Sequence, residues 1–410
     1  MNFLTTKIMK YEPTTTDNES LAKLNGIDWS FPNLSNSGLH SFHWYPATYL
    51  SAIPGTIIPH LTSAGETILD PFCGSGTTGV EAIRLGRNFI GIDTNPVALL
   101  MTEAKLKFAS PKSMKEALEK VTENSQSLFS KASPRKHPNQ VELLSWYHPQ
   151  TMDALNKILD AILSIENRLT KRSLLSVFSS ILKNCSSQGK HWGWVCDNVK
   201  PKATEVIYKD AISIFSNSVN EFAKVSDIAF RASQIHTPKI TRERIRKQST
   251  LMSGDCIEQL KNLEPESVDL IVTSPPYYGV ADYVKSQRLT YLWLDRDELA
   301  DDMLGFREFE RLRSIEAGAR SNRHRRNSHE LYMAFMANFF EECFRVLKNG
   351  SAMTLVVGES PSRAGTIEEL IASASAKGFV LKSRRGRDIR SNRRRLMAKV
   401  KGEDILVFSS

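Results

Sequence analysis

Short apolar runs alternate with segments of helical periodicity along the first and last thirds of the chain. Five of these runs have the character of buried strands, namely 67–69, 88–93, 250–252, 268–272 and 352–357. Helices are predicted at 80–85 and 287–294, between these strands. Two late apolar runs, 379–381 and 405–408, flank a charged connection and suit an antiparallel hairpin. This order of elements is typical of an α/β fold with a mostly parallel sheet.

The longest helix of the last third is predicted to begin at Ser328, whose side chain would cap it. Asn349 and Gly350 would end it. Its inward face is predicted from apolar residues at helical spacing, namely Leu331, Phe335, Phe339 and Val346.

The middle of the chain has a different pattern. Apolar residues recur there at helical spacing, as in Met152, Leu155, Ile158 and Leu159. The chain is long for one core. We therefore predict four segments: a flexible, polar N-terminal arm (1–38), the first part of the main domain (39–109), a helical insertion (110–247) and the second part of the main domain (248–410).

A glycine loop, residues 70–79, follows the first predicted strand and precedes a helix. The second strand then ends in Asp93. Gly74 and Gly76 let the backbone approach a ligand closely, and an acid at the end of the second strand can accept both hydroxyls of a ribose. The loop lacks the Gly-Lys-Ser/Thr ending of a P-loop, so we predict a nucleoside ligand rather than a triphosphate.

A second motif, Ser274-Pro275-Pro276-Tyr277, follows the strand at 268–272. The two prolines fix two backbone torsions and remove two amide donors, so the strand must end there. The resulting corner suits a planar base with an exocyclic amine: carbonyls and the Ser274 hydroxyl accept its hydrogens, and Tyr277 stacks on its ring. Taken alone, the same residues also fit an ordinary Pro-Pro turn packed under two tyrosines.

Together, the glycine loop and the Ser-Pro-Pro-Tyr corner resemble the S-adenosylmethionine-dependent DNA amino-methyltransferases, which modify N4 of cytosine or N6 of adenine. The resemblance covers about 40–108 and 250–408. It implies a Rossmann-like class I methyltransferase fold with S-adenosyl-L-methionine as cofactor. The catalytic residues that it implies are Ser274, Pro275, Pro276 and Tyr277. The cofactor-binding residues are Asp70, Pro71, Phe72, Gly74, Gly76, Asp93 and Asp255, with Tyr45, Pro46 and Thr48 bounding the methionine end.

The resemblance also indicates the reaction. A base inside a duplex cannot reach such a corner, so the target nucleotide must flip out of the helix. Ser-Pro-Pro-Tyr is commoner among cytosine-N4 enzymes, whereas many adenine enzymes carry Asp in place of Ser274. The order of the motifs, with an insertion between them, resembles a class better known for adenine. Cytosine N4 is favoured, and adenine N6, an RNA amino-methyltransferase and an inactive nucleic-acid-binding fold remain alternatives.

The net charge of +9 is concentrated in arginine clusters, which favours a polyanionic partner. Residues 311–326 contain six arginines, and 382–395 contain eight basic residues against one acid. We predict that these segments bind the phosphates of double-stranded DNA, through Arg323, Arg325, Arg326, Arg384, Arg385, Arg393, Arg394 and Arg395. The insertion is either a target-recognition subdomain or a packing subdomain or lid. A cognate restriction endonuclease and a monomeric or dimeric state stay open.

The cysteines and histidines give no metal signature. His40 and His43 have no third ligand at suitable spacing, and Cys185, His191 and Cys196 do not match a zinc pattern. We therefore predict no metal. Five cysteines at irregular spacing indicate a reducing compartment. No apolar run reaches the length of a signal peptide core or a membrane span, so a cytoplasmic protein is expected.

Overall fold

A seven-stranded sheet lies at the centre of the fold in the part of the chain that the structure describes. The computed structural model describes residues 18–131, 136–188, 200–300, 305–359, 363–389 and 402–410. The strands are β1 (Thr67–Asp70), β2 (Asn88–Asp93), β3 (Ser249–Ser253), β4 (Val268–Thr273), β5 (Leu347–Gly358), β6 (Val380–Asp388) and β7 (Gly402–Ser409).

The strand order is β3-β2-β1-β4-β5-β7-β6. The first five strands in this order, from β3 through β2, β1 and β4 to β5, are parallel, whereas β7 runs antiparallel to both β5 and β6. The predicted parallel sheet with a terminal antiparallel hairpin is therefore confirmed. The strand order reverses between β1 and β4, so the connections that follow these two adjacent strands lead away from each other and leave a crevice, where α/β folds bind ligands.

Helices surround this sheet. Before and within the first part of the main domain they are α1 (Asn18–Asn25), α2 (Ala52–Leu61), α3 (Thr77–Arg84) and α4 (Pro96–Lys107). The middle of the chain forms α5 (Pro111–Lys131), α6 (Gln140–Leu143), α7 (Pro149–Leu163), α8 (Arg168–Cys185), α9 (Ala211–His236) and α10 (Arg242–Lys247). The last part contains α11 (Cys256–Lys261), α12 (Tyr283–Ser286), α13 (Arg288–Leu294), α14 (Phe309–Ile315), α15 (Ser328–Val346) and α16 (Thr366–Ala376).

The sheet buries both of its faces, because successive side chains of a strand point in opposite directions. Ile68 belongs to one hydrophobic cluster and its neighbour Leu69 to the other. Ile405 and Leu406 of β7 divide in the same way. Helices α2, α3 and α4 cover the first face, and α11, α15 and α16 cover the second.

The helical insertion packs directly on the first of these helical layers. Helix α8 contacts α4, and α9 contacts α3. Side chains of the insertion such as Leu175 and Phe222 belong to the same hydrophobic cluster as Ile68 of β1. The segment is helical, as predicted, and it shares the core of the main domain.

The described part of the N-terminal segment is packed, which differs from the expected flexible arm. Residues Asn18–Asn25 form α1, which buries Leu21 and Leu24 against the main domain. Trp29 is also buried. The polar composition of this segment hid these few apolar anchors. Residues 1–17 lie outside the described part of the chain.

Two predicted helix starts differ from the structure. Helix α3 begins at Thr77, immediately after Gly76, rather than at residue 80. Ser328 is the first residue of α15 and does not cap it, because its hydroxyl lies 2.7 Å from Tyr278 Oη. Helix α15 ends at Val346, so residues 349 and 350 already lie in β5.

The predicted inward face of α15 is correct at its carboxyl end and wrong at one position. Phe339 and Val346 are buried, and Phe335 is partly buried. Leu331 is 69% exposed. It lies instead on the wall of a surface cleft, described below.

The charged segment after residue 381 is strand rather than connection as far as Asp388. Among the described strands, β6 is the last of the sheet and pairs with β7 alone, and an edge strand tolerates charged side chains. Arg384 and Arg387 also find acids on the neighbouring strand, Asp404 and Glu403. Cross-strand ion pairs thus allow a highly basic sequence to form a strand.

Candidate active site

The glycine loop after β1 is shaped by two residues in the left-handed region. Gly74 has φ 48° and Gly76 has φ 80°, values that favour glycine. A Cβ on Gly76 would lie 2.8 Å from Thr102 Oγ1. The Thr102 hydroxyl itself donates to the Gly74 carbonyl at 2.8 Å. Helix α4 therefore fixes the loop from one side.

Asp93, at the end of β2, fixes the loop from the other side. Its Oδ2 accepts the Gly74 N–H at 2.8 Å, and its Oδ1 accepts the Asn95 N–H at 2.8 Å. Burial raises the pKa of Asp93 to about 6, although these backbone N–H groups favour the charged form. Asn95 is held in turn, since its amide nitrogen donates to Tyr45 Oη and its oxygen accepts from Tyr291 Oη.

The Ser-Pro-Pro corner follows directly after β4, at the neighbouring strand end. Ser274 Oγ donates to Tyr277 Oη at 3.1 Å, and Tyr277 Oη donates to Glu403 Oε1 at 3.1 Å. Tyr332 Oη on α15 donates to the Pro276 carbonyl at 2.9 Å. Both sides of the corner are thus anchored to other elements.

Asp70 joins the glycine loop to this corner. Its Oδ2 accepts from Thr78 Oγ1 at 2.6 Å, and its Oδ1 accepts from Thr273 Oγ1 at 2.6 Å. Thr78 is the second residue of α3, and Thr273 immediately precedes Ser274. Burial raises the pKa of Asp70 to about 6, although the two hydroxyls favour the charged form. The carboxylate is a buried brace between the two motifs.

Both motifs open onto one pocket. Phe72 and Gly74 line it from the glycine loop, and Ser274 and Pro276 line it from the corner after β4. The remaining lining residues come from several elements, namely Tyr45, Pro71, Asp93, Thr94, Asn95, Gly254, Asp255, Cys256, Tyr283, Val284, Ile315, Glu316, Ala317 and Phe335. The pocket therefore lies at the crevice between β1 and β4.

A basic cleft adjoins this pocket and shares part of its wall with it, including Glu316 and Phe335. Arg323, Arg325 and Arg326 line the cleft. Arg325 and Arg326 are exposed. Three of the predicted phosphate-binding arginines therefore lie next to the pocket that contains the Ser-Pro-Pro corner.

Comparison with known families identifies the chain. Residues 3–104 and 268–409, more than half of its length, match the N6/N4 methyltransferase family, described as DNA methylase. The chain belongs to this DNA methylase family. The chain is thus a DNA methyltransferase of the N4/N6 amino-methyltransferase class, and the predicted family is confirmed.

Type II methyltransferases and a DNA adenine methyltransferase are among the proteins similar to this chain. Type II methyltransferase M.AvaI of Nostoc sp. is 23% identical over 367 residues, which cover 78% of this chain and 75% of the relative. Type II methyltransferase M.BsoBI of Geobacillus stearothermophilus is 25% identical over 316 residues, which cover 70% of this chain and 57% of the relative. DNA adenine methyltransferase YhdJ of Escherichia coli is 36% identical over 111 residues, which cover 27% of this chain and 37% of the relative.

Several of the predicted site residues do not line the pocket. Asp70, Gly76, Pro46, Thr48, Pro275 and Tyr277 are absent from the pocket lining. Thr48 Oγ1 donates to the Tyr45 carbonyl at 3.1 Å, so it supports a lining residue. Gly76 shapes the loop, and Asp70 braces it.

Tyr277 does not present an open ring for base stacking in this structure. It is only 4% exposed, and its ring packs against Val280 and Ile389. Its hydroxyl is held by Glu403, which keeps the ring turned into this small cluster. The sequence suggested a stacking ring because it did not reveal the acid that binds the phenol.

The sequence did not predict several residues of the pocket. Tyr283, Glu316 and Phe335 all line it. Glu316 accepts the Tyr283 N–H at 2.5 Å, and burial raises its pKa to about 8. The segment 311–326 was singled out only for its arginines, and Glu316 within it reaches the site through the fold.

The arginines of β6 form more hydrogen bonds and ion pairs within the protein than we expected for residues that bind DNA phosphates. Arg384 bridges Glu368 and Asp404, and Arg385 Nε donates to Asn25 Oδ1. Arg387 is buried against Glu403. Arg393, Arg394 and Arg395 lie outside the described residues.

His40 and His43 have separate partners. His40 Nε2 lies 2.9 Å from Glu81 Oε1, on α3. His43 Nε2 lies 2.8 Å from Ser179 Oγ, on α8 of the insertion.

None of the helices in the described ranges combines the length and apolar character needed to cross a membrane.

Proposed function

We propose that the chain transfers a methyl group from S-adenosyl-L-methionine to the exocyclic N4 amine of a cytosine flipped out of duplex DNA. The observation that supports this most is the single pocket shared by the glycine loop, through Gly74, and the amine-binding corner, through Ser274. An arrangement of this kind positions a methyl donor and an acceptor in one enclosure, which lowers the barrier by orientation.

The side of the pocket around β1 and β2 fits the cofactor. The positive φ of Gly74, which lines the pocket, allows close backbone approach, and the Asp93 carboxylate suits ribose hydroxyls. We assign the aromatic walls of this side to Tyr45 and Phe72, and the recognition of the adenine amine to Asp255. When bound, S-adenosyl-L-methionine supplies an electrophilic methyl group on a sulfonium.

The corner after β4 fits the amine. The lone pair of an exocyclic amine is conjugated into the ring, so the nitrogen is a poor nucleophile. Ser274 Oγ, which lines the pocket, would accept one of its hydrogens and favour a tetrahedral nitrogen with a free lone pair. No nucleophilic cysteine is needed for this chemistry. Consistent with this, burial raises the pKa of the Cys73 thiol well above its ordinary value, so it stays protonated.

The basic cleft supports the proposal that DNA approaches on this side. Arg325 and Arg326 are exposed at the cleft, next to the wall that carries Glu316. Cations there can bind the phosphates that flank a flipped nucleotide. We assign affinity to these arginines and leave base readout to other residues.

Cytosine is favoured over adenine because Ser274 stands where many adenine enzymes of the resembled family carry Asp. Adenine N6 is the second candidate. It is favoured by one relative, YhdJ, which is named a DNA adenine methyltransferase and is 36% identical over 111 residues. The names of the Type II relatives support a role in a restriction–modification system with a cognate endonuclease.

For the insertion, 110–247, we propose a supporting role for the pocket. Ser179 on α8 is hydrogen-bonded to His43 and, at 2.7 Å, to Thr290 on α13. His43 lies two residues before the lining residue Tyr45, and α13 follows the Ser-Pro-Pro corner. The insertion thus connects with both halves of the main domain through one buried hydroxyl.

Methyl transfer from radiolabelled S-adenosyl-L-methionine to duplex DNA tests the proposal, with transfer RNA as the comparison substrate. We expect label in DNA only, and N4-methylcytosine after digestion to nucleosides. N6-methyladenine would replace the first candidate with the second. Label in transfer RNA alone would contradict DNA as the substrate of this chain.

A further inference from the structure

A buried chain of hydrogen bonds leads from the Ser-Pro-Pro corner into the terminal hairpin. Ser274 Oγ lies 3.1 Å from Tyr277 Oη, which lies 3.1 Å from Glu403 Oε1. The other carboxylate oxygen, Oε2, accepts from Arg387 Nη1 at 2.9 Å. The side chains of Arg387 and Glu403 are 3% and 4% exposed. No motif in the sequence connects Arg387 and Glu403 with Ser274 and Tyr277 of the corner.

The pairing register of β6 and β7 brings Arg387 and Glu403 together. Arg387 of β6 and Glu403 of β7 are directly opposed cross-strand partners. Glu403 also pairs with Gly358, the last residue of β5, so it lies at the same edge of the sheet as the carboxyl ends of the parallel strands. A buried ion pair contributes little net stability compared with apolar residues of similar size. Fold stability alone therefore explains this pair poorly.

The donors and acceptors in the chain have one consistent arrangement. An ionised carboxylate can only accept hydrogen bonds, and Arg387 favours that form of Glu403. Tyr277 must then donate its single proton to Glu403, and its oxygen accepts the proton of Ser274. The Ser274 hydroxyl is left with its lone pairs as its remaining hydrogen-bonding capacity, and Ser274 lines the pocket.

The phenol remains protonated throughout. Burial, the neighbouring Glu403 and other groups raise the pKa of Tyr277 well above 10, although the bond from Ser274 opposes this. A protonated Tyr277 donates its proton to Glu403, so its oxygen remains the acceptor for the Ser274 hydroxyl.

We propose that Glu403 and Arg387 are positioning residues that act through Tyr277 to hold the Ser274 hydroxyl as an acceptor for the target amine. Without the acid, the Ser274 proton could rotate toward the pocket and oppose an N–H group there. This inference rests on the proposed role of Ser274 in binding the amine. It also gives Tyr277 a role other than stacking on the base.

A double-mutant cycle tests the inference. Tyr277→Phe, Glu403→Gln and the double variant are compared in kcat for methyl transfer to duplex DNA, and in KM for S-adenosyl-L-methionine. Each single change should lower kcat about 10- to 100-fold, the effect of a hydrogen bond to a charged group. KM for the cofactor should change less than about threefold, because these hydrogen bonds lead to Ser274, on the side of the pocket assigned to the target amine. The double variant should be no slower than the slower single variant, because both changes break one chain.

Asp404→Asn serves as the matched control, since Asp404 is the next residue of β7 and pairs with Arg384 instead. Its kcat should equal that of the wild type. If Glu403→Gln does not fold with Arg387 unpaired, the uncharged variant Arg387→Met/Glu403→Leu replaces it and should show the same loss of kcat, because leucine offers no acceptor to the Tyr277 hydroxyl. A wild-type kcat in either variant, or multiplicative losses in the cycle, would overturn the inference.

Ser274→Ala separates the two hypotheses. In that background, Glu403→Gln should cause no further loss of kcat. If Ser274→Ala retains full kcat, the proposed function of the corner fails. If Ser274→Ala is inactive while Glu403→Gln is fully active, only the role of Glu403 fails.

Discussion

The brace formed by Asp70 makes a quantitative prediction about Asp70→Asn. The side chain is 1% exposed and accepts hydrogen bonds from Thr78, Thr273 and the Phe72 N–H. Asparagine has the same shape and can satisfy these groups, because its oxygen accepts and its amide can donate to a threonine hydroxyl. The variant should fold and keep the two motifs together.

The magnitude follows from the pKa of the wild-type carboxyl group. Burial raises the pKa of Asp70 from 3.8 to about 6, so between these values the folded state holds a proton that the unfolded state has lost. The unfolding free energy of the wild type therefore falls as pH rises through this window, by about 3 kcal/mol from this group. Asparagine removes this contribution. The stability of Asp70→Asn relative to wild type should thus rise by about 2.5 kcal/mol from pH 4 to pH 8.

Urea unfolding at a series of pH values measures this difference, and Glu81→Gln provides the opposite case. Burial would raise the pKa of Glu81, but His40 and Arg84 outweigh it and lower the pKa, so this variant should lose relative stability as pH rises. Cofactor affinity of Asp70→Asn should fall less than about tenfold if the carboxylate is a brace. A relative stability independent of pH, or a much larger loss of affinity, would refute this reasoning.

Two further predictions concern the cleft and the loop. Arg325→Ala with Arg326→Ala should weaken DNA binding and reduce the slope of log K against log salt by about 2, about 1 for each lost phosphate contact. The ion-paired Arg384→Ala is the control, and an unaltered slope in the double variant would place the phosphates elsewhere. Gly76→Ala should lower the unfolding free energy by about 2 to 4 kcal/mol, from positive-φ strain and the clash with Thr102. Adding Thr102→Ala should cost less than the sum of both single changes in urea unfolding, and strict additivity would contradict the clash.

The sequence was sufficient for the architecture because its strongest signals are local. The apolar run before Ser274 and the glycine loop after β1 predicted two strand ends, and the sheet brings them to one crevice. Charge misled the prediction at β6, where ion pairs with β7 turn a basic segment into a strand. Such compensation is invisible until the partner strand is known.

The site was predictable in its motifs but not in its supporting contacts. Gly74, Asp93 and Ser274 were found because each stands in a recognisable local context. Glu403 and Glu316 were not, because each is separated from the motifs by many residues and joins them only through the fold. Long-range hydrogen bonds of buried polar groups leave no pattern along a single chain.

Single-turnover methyl transfer by Ser274→Ala, measured beside cofactor binding, tests the central claim most directly. If the corner after β4 binds the target amine, the rate should fall about 100-fold or more while the Kd for S-adenosyl-L-methionine changes less than about threefold. An unchanged rate would show that the amine is bound elsewhere. A loss of cofactor affinity equal to the loss of rate would show that Ser274 serves the cofactor instead.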